Sequence, residues 1–324
     1  MKITVLDDYQ DVVRTFPCFA TMDGFDVEIW NDHLQALEPL AERLKDTEVL
    51  ILIRERTAIS RALLERLPKL RLISQFGVVP NLDLAACAEQ GVTVCSRIVS
   101  GRPSYATAEL TWGLILAALR RIPQEAASLK SGGWQTRQAM GRTLRGLTLG
   151  VFGYGRIGAV VAGYGRAFGM KVLVWGREGS LARGRQDGCE AAADQETFFQ
   201  TADVVTLHMR LTSASRGIVR LQDLRAMKPT AMIVNTSRAQ LIDDGALVTA
   251  LQEGRPGLAA IDVFEEEPLP GGRHPLLEMP NVVATPHLGY VVRESLEIMF
   301  ETMFKQVLAF QCGAPINLLV PAPR

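Results

Sequence analysis

Three glycines and three charged side chains hold the chemistry of this sequence. Gly153, Gly155 and Gly158 stand in VFGYGRIG, at the end of an apolar run over 147–152. A strand that turns through Gly-x-Gly-x-x-Gly into a helix is the layout that takes the pyrophosphate of a dinucleotide. Gly153 permits the tight turn, Gly155 lets the pyrophosphate reach the backbone, and Gly158 lets the helix pack close to the strand. The first amides of that helix, at Arg156 and Ile157, are expected to face the phosphates. Further along, Arg238 follows AMIVN, Glu267 follows LAAID and His287 follows NVVAT, each a short apolar run that reads as a strand. Ligands of open α/β sheets bind beyond the carboxyl ends of the strands. A guanidinium, a carboxylate and an imidazole delivered to one such edge are candidates for anion binding and proton transfer.

These residues need a sheet to hold them. Strands are expected at 147–152, 171–175, 203–207, 231–235, 258–261 and 282–284, with helices between them at 194–200, 221–226 and 245–253. Six strands in that rhythm make a complete doubly wound dinucleotide domain. The first hundred residues alternate in the same way, with strands at 3–6, 49–53, 70–74 and 92–95 and helices at 34–44 and 60–67. Ser60 is the expected N-cap of the second helix, and Pro68 its end. No glycine fingerprint occurs there. A helix over 105–119 is apolar around most of its circumference and is expected to be buried. A last helix over 293–310 is placed to return to the first domain.

With 324 residues the chain is long enough for two cores. Its 35 basic and 35 acidic residues balance, which gives no compositional support for nucleic-acid binding. No apolar run reaches membrane-spanning length, and the N-terminus does not read as a secretion signal. Cys18, Cys87, Cys95, Cys189 and Cys312 are scattered and odd in number, which fits free thiols in a reducing cytoplasm. No histidine pair has metal-ligand spacing, so no metal site is expected. His33 and His274 read as surface residues.

The order and spacing of VFGYGRIG, MKPTAMIVNTSRAQLIDDGALVTAL, IDVFEEEPLP and NVVATPHLGY resemble the D-isomer-specific 2-hydroxyacid dehydrogenases over nearly the whole chain. Glyoxylate/hydroxypyruvate reductases and phosphoglycerate dehydrogenases are among those relatives. The resemblance implies an α/β fold of two doubly wound parallel-sheet domains. A Rossmann dinucleotide-binding domain (103–288) would be inserted into a flavodoxin-like substrate domain (1–102 with 289–324). It implies hydride transfer between a nicotinamide cofactor and a small 2-oxo or D-2-hydroxy acid. Arg238 would hold the substrate carboxylate and carbonyl with its planar fork of donors. His287 would donate and accept the proton, and Glu267 would orient the imidazole and favour its charged form. A homodimer formed through the cofactor domain is the expected assembly. A chain ending at Arg324 would lack the regulatory domain of some phosphoglycerate relatives.

The resemblance also places Asp262 at the nicotinamide carboxamide, Thr236 and Ser237 along its ribose, and Thr107 near the cofactor. His208 stands either as a core residue or as a cofactor contact. Substrate carboxylate would be received by the backbone at Phe76, Gly77 and Val78; Val78 replaces the usual second glycine and Pro80 a common Asp. Arg54 is either a substrate contact or a solvated charge. The acidic residue that normally bonds the adenosine ribose is replaced by Gly176, with Arg177 next to it and Ser180 close behind. Loss of that carboxylate and gain of a guanidinium favour NADP over NAD, although Glu178, one residue further on, is a candidate for the acidic role. The competing reading is an NAD(P)-sensing, corepressor-like protein on the same fold, without turnover.

Overall fold

The computed structural model describes residues 1–97, 105–135 and 140–320. The chain divides into two compact units, Met1–Ser100 with Val292–Arg324, and Gly101–Val291. The expected first boundary, at 102/103, lies outside the described residues. The second falls between Val291 and Val292, a little past the expected 288/289, because Leu288 and Gly289 are bonded to Asp262 of the second unit.

Strands are β1 (Lys2–Leu6), β2 (Asp26–Ile29), β3 (Val49–Leu52), β4 (Leu72–Phe76), β5 (Thr93–Arg97), β6 (Thr148–Phe152), β7 (Lys171–Trp175), β8 (Glu190–Ala191), β9 (Val204–Leu207), β10 (Met232–Asn235), β11 (Leu258–Ile261), β12 (Val282–Ala284) and β13 (Leu318–Val320). The first sheet runs β13-β5-β4-β3-β1-β2. It is parallel except at β13, which pairs antiparallel with β5. Without β13 this is the flavodoxin-like order. The second sheet, β12-β11-β10-β9-β6-β7-β8, is parallel throughout and has the dinucleotide-domain order with a seventh strand added. The strand order reverses between β6 and β9, so a crevice opens beyond their carboxyl ends. That is where such sheets bind ligands.

Three strands escape the sequence reading for different reasons. DVEI in β2 mixes acidic residues with only half-buried apolar ones, β8 is two residues long, and β13 is an exposed edge strand. Central strands are legible because both faces are covered: VLIL in β3 and MIVN in β10 are buried at every position.

Helices bury the two faces of the second sheet. Phe152 meets Phe198 and Phe199 with ring centroids 5.8 and 6.2 Å apart on one face. On the other, Tyr105–Leu119 buries Ala108, Thr111, Trp112, Leu114, Ile115, Ala118 and Leu119 against β10, β11, β12 and the helix Arg156–Ala167. Trp112 Nε1 donates to Val161 O at 3.1 Å, and a Cβ on Gly165 would come within 2.6 Å of Leu149. Each fully buried large apolar side chain contributes about 1.5–3 kcal/mol. Pro123 does more than close this helix: it lies in the first turn of a further helix, Ile122–Lys130, where its missing N–H costs nothing.

In the first unit Ser60 does cap a helix, accepting from Leu63 N at 3.4 Å, but that helix covers only Arg61–Leu64. The last helix, Arg293–Gln311, packs on β4 and carries Phe300 onto Phe16 at 5.7 Å. All five cysteines are free. Among the described residues no helix is long and apolar enough to cross a membrane.

Candidate active site

β10, β11 and β12 lie side by side and end level with one another, and each delivers one of the three charged residues into the loop that follows. Arg238 opens a 3-10 turn, Ala239–Leu241. Its backbone is fixed by Asn235, whose Nδ2 donates to Arg238 O at 2.8 Å. Asn235 Oδ1 accepts from Ser237 N at 3.0 Å, and Ser237 Oγ donates to Leu207 O at 2.8 Å. The guanidinium rests partly on its own loop, Nη1 donating to Ser237 O at 2.7 Å.

Glu267 joins the other two. One carboxylate oxygen accepts from Phe264 N at 2.8 Å, and the other meets His287 Nδ1 at 2.5 Å. Their side chains are 32% and 24% exposed, so the pair is shielded yet reachable. Burial pushes the Glu267 carboxyl up. The hydrogen bond to His287, the charge there, the Phe264 amide and the charge of Arg238 outweigh burial and hold the carboxyl below its usual range. His287 has φ 53°, a left-handed conformation uncommon for a side chain of this size, and its ring stands edge-on to Tyr290 at 5.7 Å.

That conformation is held by Asp262. Fully buried at the end of β11, it accepts from Thr285 Oγ1 at 2.6 Å, Leu288 N at 2.7 Å and Gly289 N at 2.8 Å. Burial pushes its carboxyl up, against the pull of these donors. Thr107 clasps the same loop from the far side, donating to Gly289 O at 2.8 Å. Both residues, expected as cofactor contacts, hold the His287 loop in place. The sequence reading missed this because the bracing joins residues far apart in the chain.

At the other end of the edge, the glycine turn follows β6. Gly153 has φ 96°, and a Cβ there would sit 2.7 Å from His208 O. A Cβ on Gly158 would sit 2.4 Å from Gly153 O. Nothing lies within 4 Å of the corresponding point on Gly155. The helix Arg156–Ala167 starts there, so Ile157 in its first turn has no carbonyl four residues back to bond within the helix. The turn therefore offers open space and amide donors together.

Gly176 lies against it, with Gly153 N donating to Trp175 O at 2.8 Å. Its φ of 150° disfavours any side chain. Arg177 is the N-cap residue of a helix over Glu178–Gln186, beyond the helices expected from the sequence, and Ser180 lies in its first turn. Gly179, Gly184 and two arginines had hidden its periodicity. The same helix brings an unanticipated cation to the turn: Arg183 Nη2 donates to Tyr154 O at 3.1 Å. Glu178 is drawn away along the helix, its Oε1 accepting from Arg185 Nη1 at 2.9 Å.

His208 lies between the two ends, just after β9. It is half-buried as a residue, but its Nδ1 is covered and has no partner, while Nε2 meets Thr206 Oγ1 at 2.9 Å. Burial pushes its imidazole down to about 3. The His208 carbonyl, rather than its ring, lies against Gly153, 2.7 Å from where a Cβ there would be.

The first unit has its own polar edge. Gly77 has φ 103°, and Arg54, itself at φ 61°, places Nη1 3.4 Å from where a Gly77 Cβ would be. One correction follows for the expected anion-binding backbone. Phe76 is the last residue of β4, and the Gly77 amide is committed to Arg97 O at 3.1 Å. The loop is braced by Gln75 Nε2, which donates to Val78 O at 2.9 Å, and Ser96 Oγ, which donates to Gly77 O at 2.7 Å. Two histidines are also less superficial than expected. His33 Nδ1 meets buried Asp7 at 2.9 Å, and His274 caps a 3-10 turn and meets Glu265 at 3.1 Å.

Comparison with known proteins bears on both ends of the second sheet. The family described as "D-isomer specific 2-hydroxyacid dehydrogenase, NAD binding domain" matches residues 112–289. A D-3-phosphoglycerate dehydrogenase of Methanocaldococcus jannaschii is 41% identical over 259 residues, 80% of this chain and 48% of that protein. The chain thus spans about half of that relative's length. A glyoxylate reductase of Aeropyrum pernix is 36% identical over 306 residues, 91% of this chain and 90% of that one. The crystal structure of a phosphoglycerate oxidoreductase from Vibrio cholerae superposes with a TM-score of 0.93 at 48% identity, covering 97% of this chain and 100% of that one.

Proposed function

The chain belongs to the D-isomer-specific 2-hydroxyacid dehydrogenase family, and on that premise we propose that it reduces a small 2-oxo acid, or oxidises the D-2-hydroxy acid, with a nicotinamide dinucleotide. The observation that carries this reading is the meeting of Glu267 and His287, within reach of the Arg238 charge, at the end of a sheet that also bears the glycine turn.

The residues present fit a dinucleotide. Gly155 leaves room for pyrophosphate, the helix after it offers amides, and His208 holds a covered nitrogen without a partner. Asp262, Thr107, Thr236 and Ser237 would line the nicotinamide end. When bound, the cofactor supplies or accepts the hydride. Arg238 would hold the substrate carboxylate and carbonyl in its fork. His287 would give its proton to the forming alkoxide oxygen and take it back in the reverse direction. Glu267, bonded at Nδ1, would keep Nε2 turned to the substrate. In the first unit, Arg54 and the Val78 amide are proposed for substrate binding, the Gly77 amide being committed to Arg97.

NADP is the proposed preference. Gly176 carries no carboxylate to repel a 2′-phosphate, Arg177 stands beside it, and Glu178 is paired with Arg185 along the helix. The free cysteines support a reducing, cytoplasmic setting. A homodimer through the second unit is supported by Ile122, Leu129, Trp134 and Met140, which are 53%, 59%, 76% and 84% exposed. Steady-state assays with glyoxylate, hydroxypyruvate and other 2-oxo acids, each with NADPH and NADH, test the proposal. Turnover with a higher kcat/KM for NADPH is expected. A clear NADH preference overturns the cofactor assignment. Dinucleotide binding without turnover on any 2-oxo acid favours the sensing protein instead.

A further inference from the structure

A line of threonine hydroxyls runs between the Arg238 loop and the His287 loop through the helix Tyr105–Leu119. Thr107 Oγ1 donates to Gly289 O at 2.8 Å, in the loop that carries His287. One turn further along the helix, Thr111 Oγ1 donates to Thr107 O at 2.7 Å. The same Thr111 oxygen lies 2.9 Å from Thr236 Oγ1, at the head of the loop that carries Arg238. A hydroxyl has one hydrogen to give. Thr111 spends its own on Thr107, so Thr236 must be the donor to Thr111. The line therefore has one direction: Thr236 to Thr111, Thr111 to the Thr107 carbonyl, and Thr107 Oγ1 to Gly289 O.

Thr111 is fully buried and Thr236 is 5% exposed, so neither hydroxyl can exchange its partner for water. Packing explains little of this choice. Val has nearly the shape of Thr and would fill the same space without a polar group to satisfy. Gly289 also belongs to the arrangement: a Cβ there would come within 3.2 Å of Asp262 Oδ2 and 3.3 Å of Thr107 Cγ2. The His287 loop is thus fitted closely between the Asp262 carboxylate and the helix that bears Thr111.

We propose that Thr111 is a positioning residue for the reaction, fixing the Arg238 loop against the His287 loop through its two hydroxyl bonds. This rests on the catalytic reading given above for Arg238 and His287. The two loops follow β10 and β12, on either side of β11. The distance from the group that grips the substrate carboxylate to the group that moves the proton is then set by what braces both loops. Displacements near 1 Å at such a distance cost on the order of 100-fold in rate.

The test compares Thr111→Val, which removes the hydroxyl at constant shape, with Thr111→Ser, which keeps it. Thr111→Val is expected to lower kcat by about tenfold while changing KM and the dinucleotide Kd by less than about threefold. It should also speed hydrogen exchange at the Leu288 and Gly289 amides. Thr111→Ser is expected to restore kcat to within about threefold of wild type. Normal kcat in Thr111→Val, or equal losses in both variants, overturns the proposal. So does a loss that merely follows a fall in Tm. If wild type turns over no 2-oxo acid, the catalytic reading has failed. Amide exchange in the Val variant then decides whether the hydroxyl line braces the loop at all: unchanged exchange overturns that too.

Discussion

The two ends of the second sheet's carboxyl edge are built by opposite means. At β6 and β7 the site is made by leaving side chains out: Gly153 and Gly158 let backbone pack against backbone, and Gly155 leaves open space beside the turn. At β10, β11 and β12 it is made by putting polar side chains in and satisfying them: Asn235, Asp262, Thr285 and Thr107 hold loops whose conformations would otherwise drift. Glycine gives access at the cost of conformational entropy, whereas a buried, fully bonded carboxylate gives rigidity at the cost of desolvation. A cofactor that must come and go suits the first. A proton donor that must stand still suits the second.

The comparison predicts where function and stability separate. The largest effect is expected at the catalytic end, from His287→Ala. Turnover should fall by about a thousandfold, the range of general acid–base catalysis. Dinucleotide Kd, read by fluorescence titration, should stay within about twofold of wild type, because the glycine end is untouched. Near-normal turnover would remove His287 from the proposed chemistry. Asp262→Asn comes next. An amide NH2 replaces an acceptor oxygen that faces backbone N–H groups or a hydroxyl, leaving buried donors unpaired. A loss of about 2–3 kcal/mol in denaturant unfolding is expected, with faster exchange at the Leu288 and Gly289 amides. A variant as stable as wild type would show that the collar around the His287 loop is not what holds it.

At the glycine end, two alanine substitutions should behave differently. In Gly158→Ala the new Cβ would lie 2.4 Å from Gly153 O, a backbone atom that cannot swing aside. About 2 kcal/mol of stability should be lost. In Gly155→Ala nothing lies within 4 Å of the Cβ, and φ is −104°, so the fold should accept it. The methyl would instead occupy the ligand's space, with unchanged Tm and a dinucleotide Kd raised about tenfold. Equal Tm losses in both variants would erase the distinction between a glycine needed for packing and one needed for access.

How much of this was legible in the sequence follows the same division. The glycine turn, Arg238 and His287 could be read because each comes within a few residues of the end of a short apolar strand, and a parallel sheet puts all strand ends on one edge; Glu267 is singled out from Glu265 and Glu266 by family resemblance alone. The alternation of strand and helix predicts parallel sheets, and the family resemblance implies their doubly wound arrangement. The bracing could not be read. Thr107, Thr111 and Asp262 look like ordinary buried polar residues until the fold brings residues 107, 236, 262 and 289 together. Arg183 was hidden because Gly179 and Gly184 broke the pattern of its helix. The Gly77 amide was misassigned because the pairing of β4 with β5 extends one residue past Phe76, to the Arg97 carbonyl.

His208 belongs to both ends, and its effect should be the smallest. Its carbonyl confines Gly153, while its ring turns back to Thr206 within β9. Burial holds the imidazole down to about 3, so the folded protein keeps it neutral where the unfolded chain, near 6.5, takes up a proton. The sign is then fixed. Below about 6.5 the unfolded state binds the extra proton, so stability is fully present above that pH and is lost as pH falls toward 3. Between pH 6.5 and 5 few carboxylates titrate, so this window isolates histidines. Across it wild type should lose about 1–2 kcal/mol more than His208→Gln, which retains a partner for Thr206 but has no proton to gain. Parallel stability curves would mean that the ring is hydrated in solution and its covered nitrogen is not waiting for a ligand. A bound dinucleotide whose phosphate accepts from Nδ1 would favour the charged ring, flattening the wild-type limb and leaving the Gln variant's unchanged, which would tie the glycine end to the rest of the edge through this one ring.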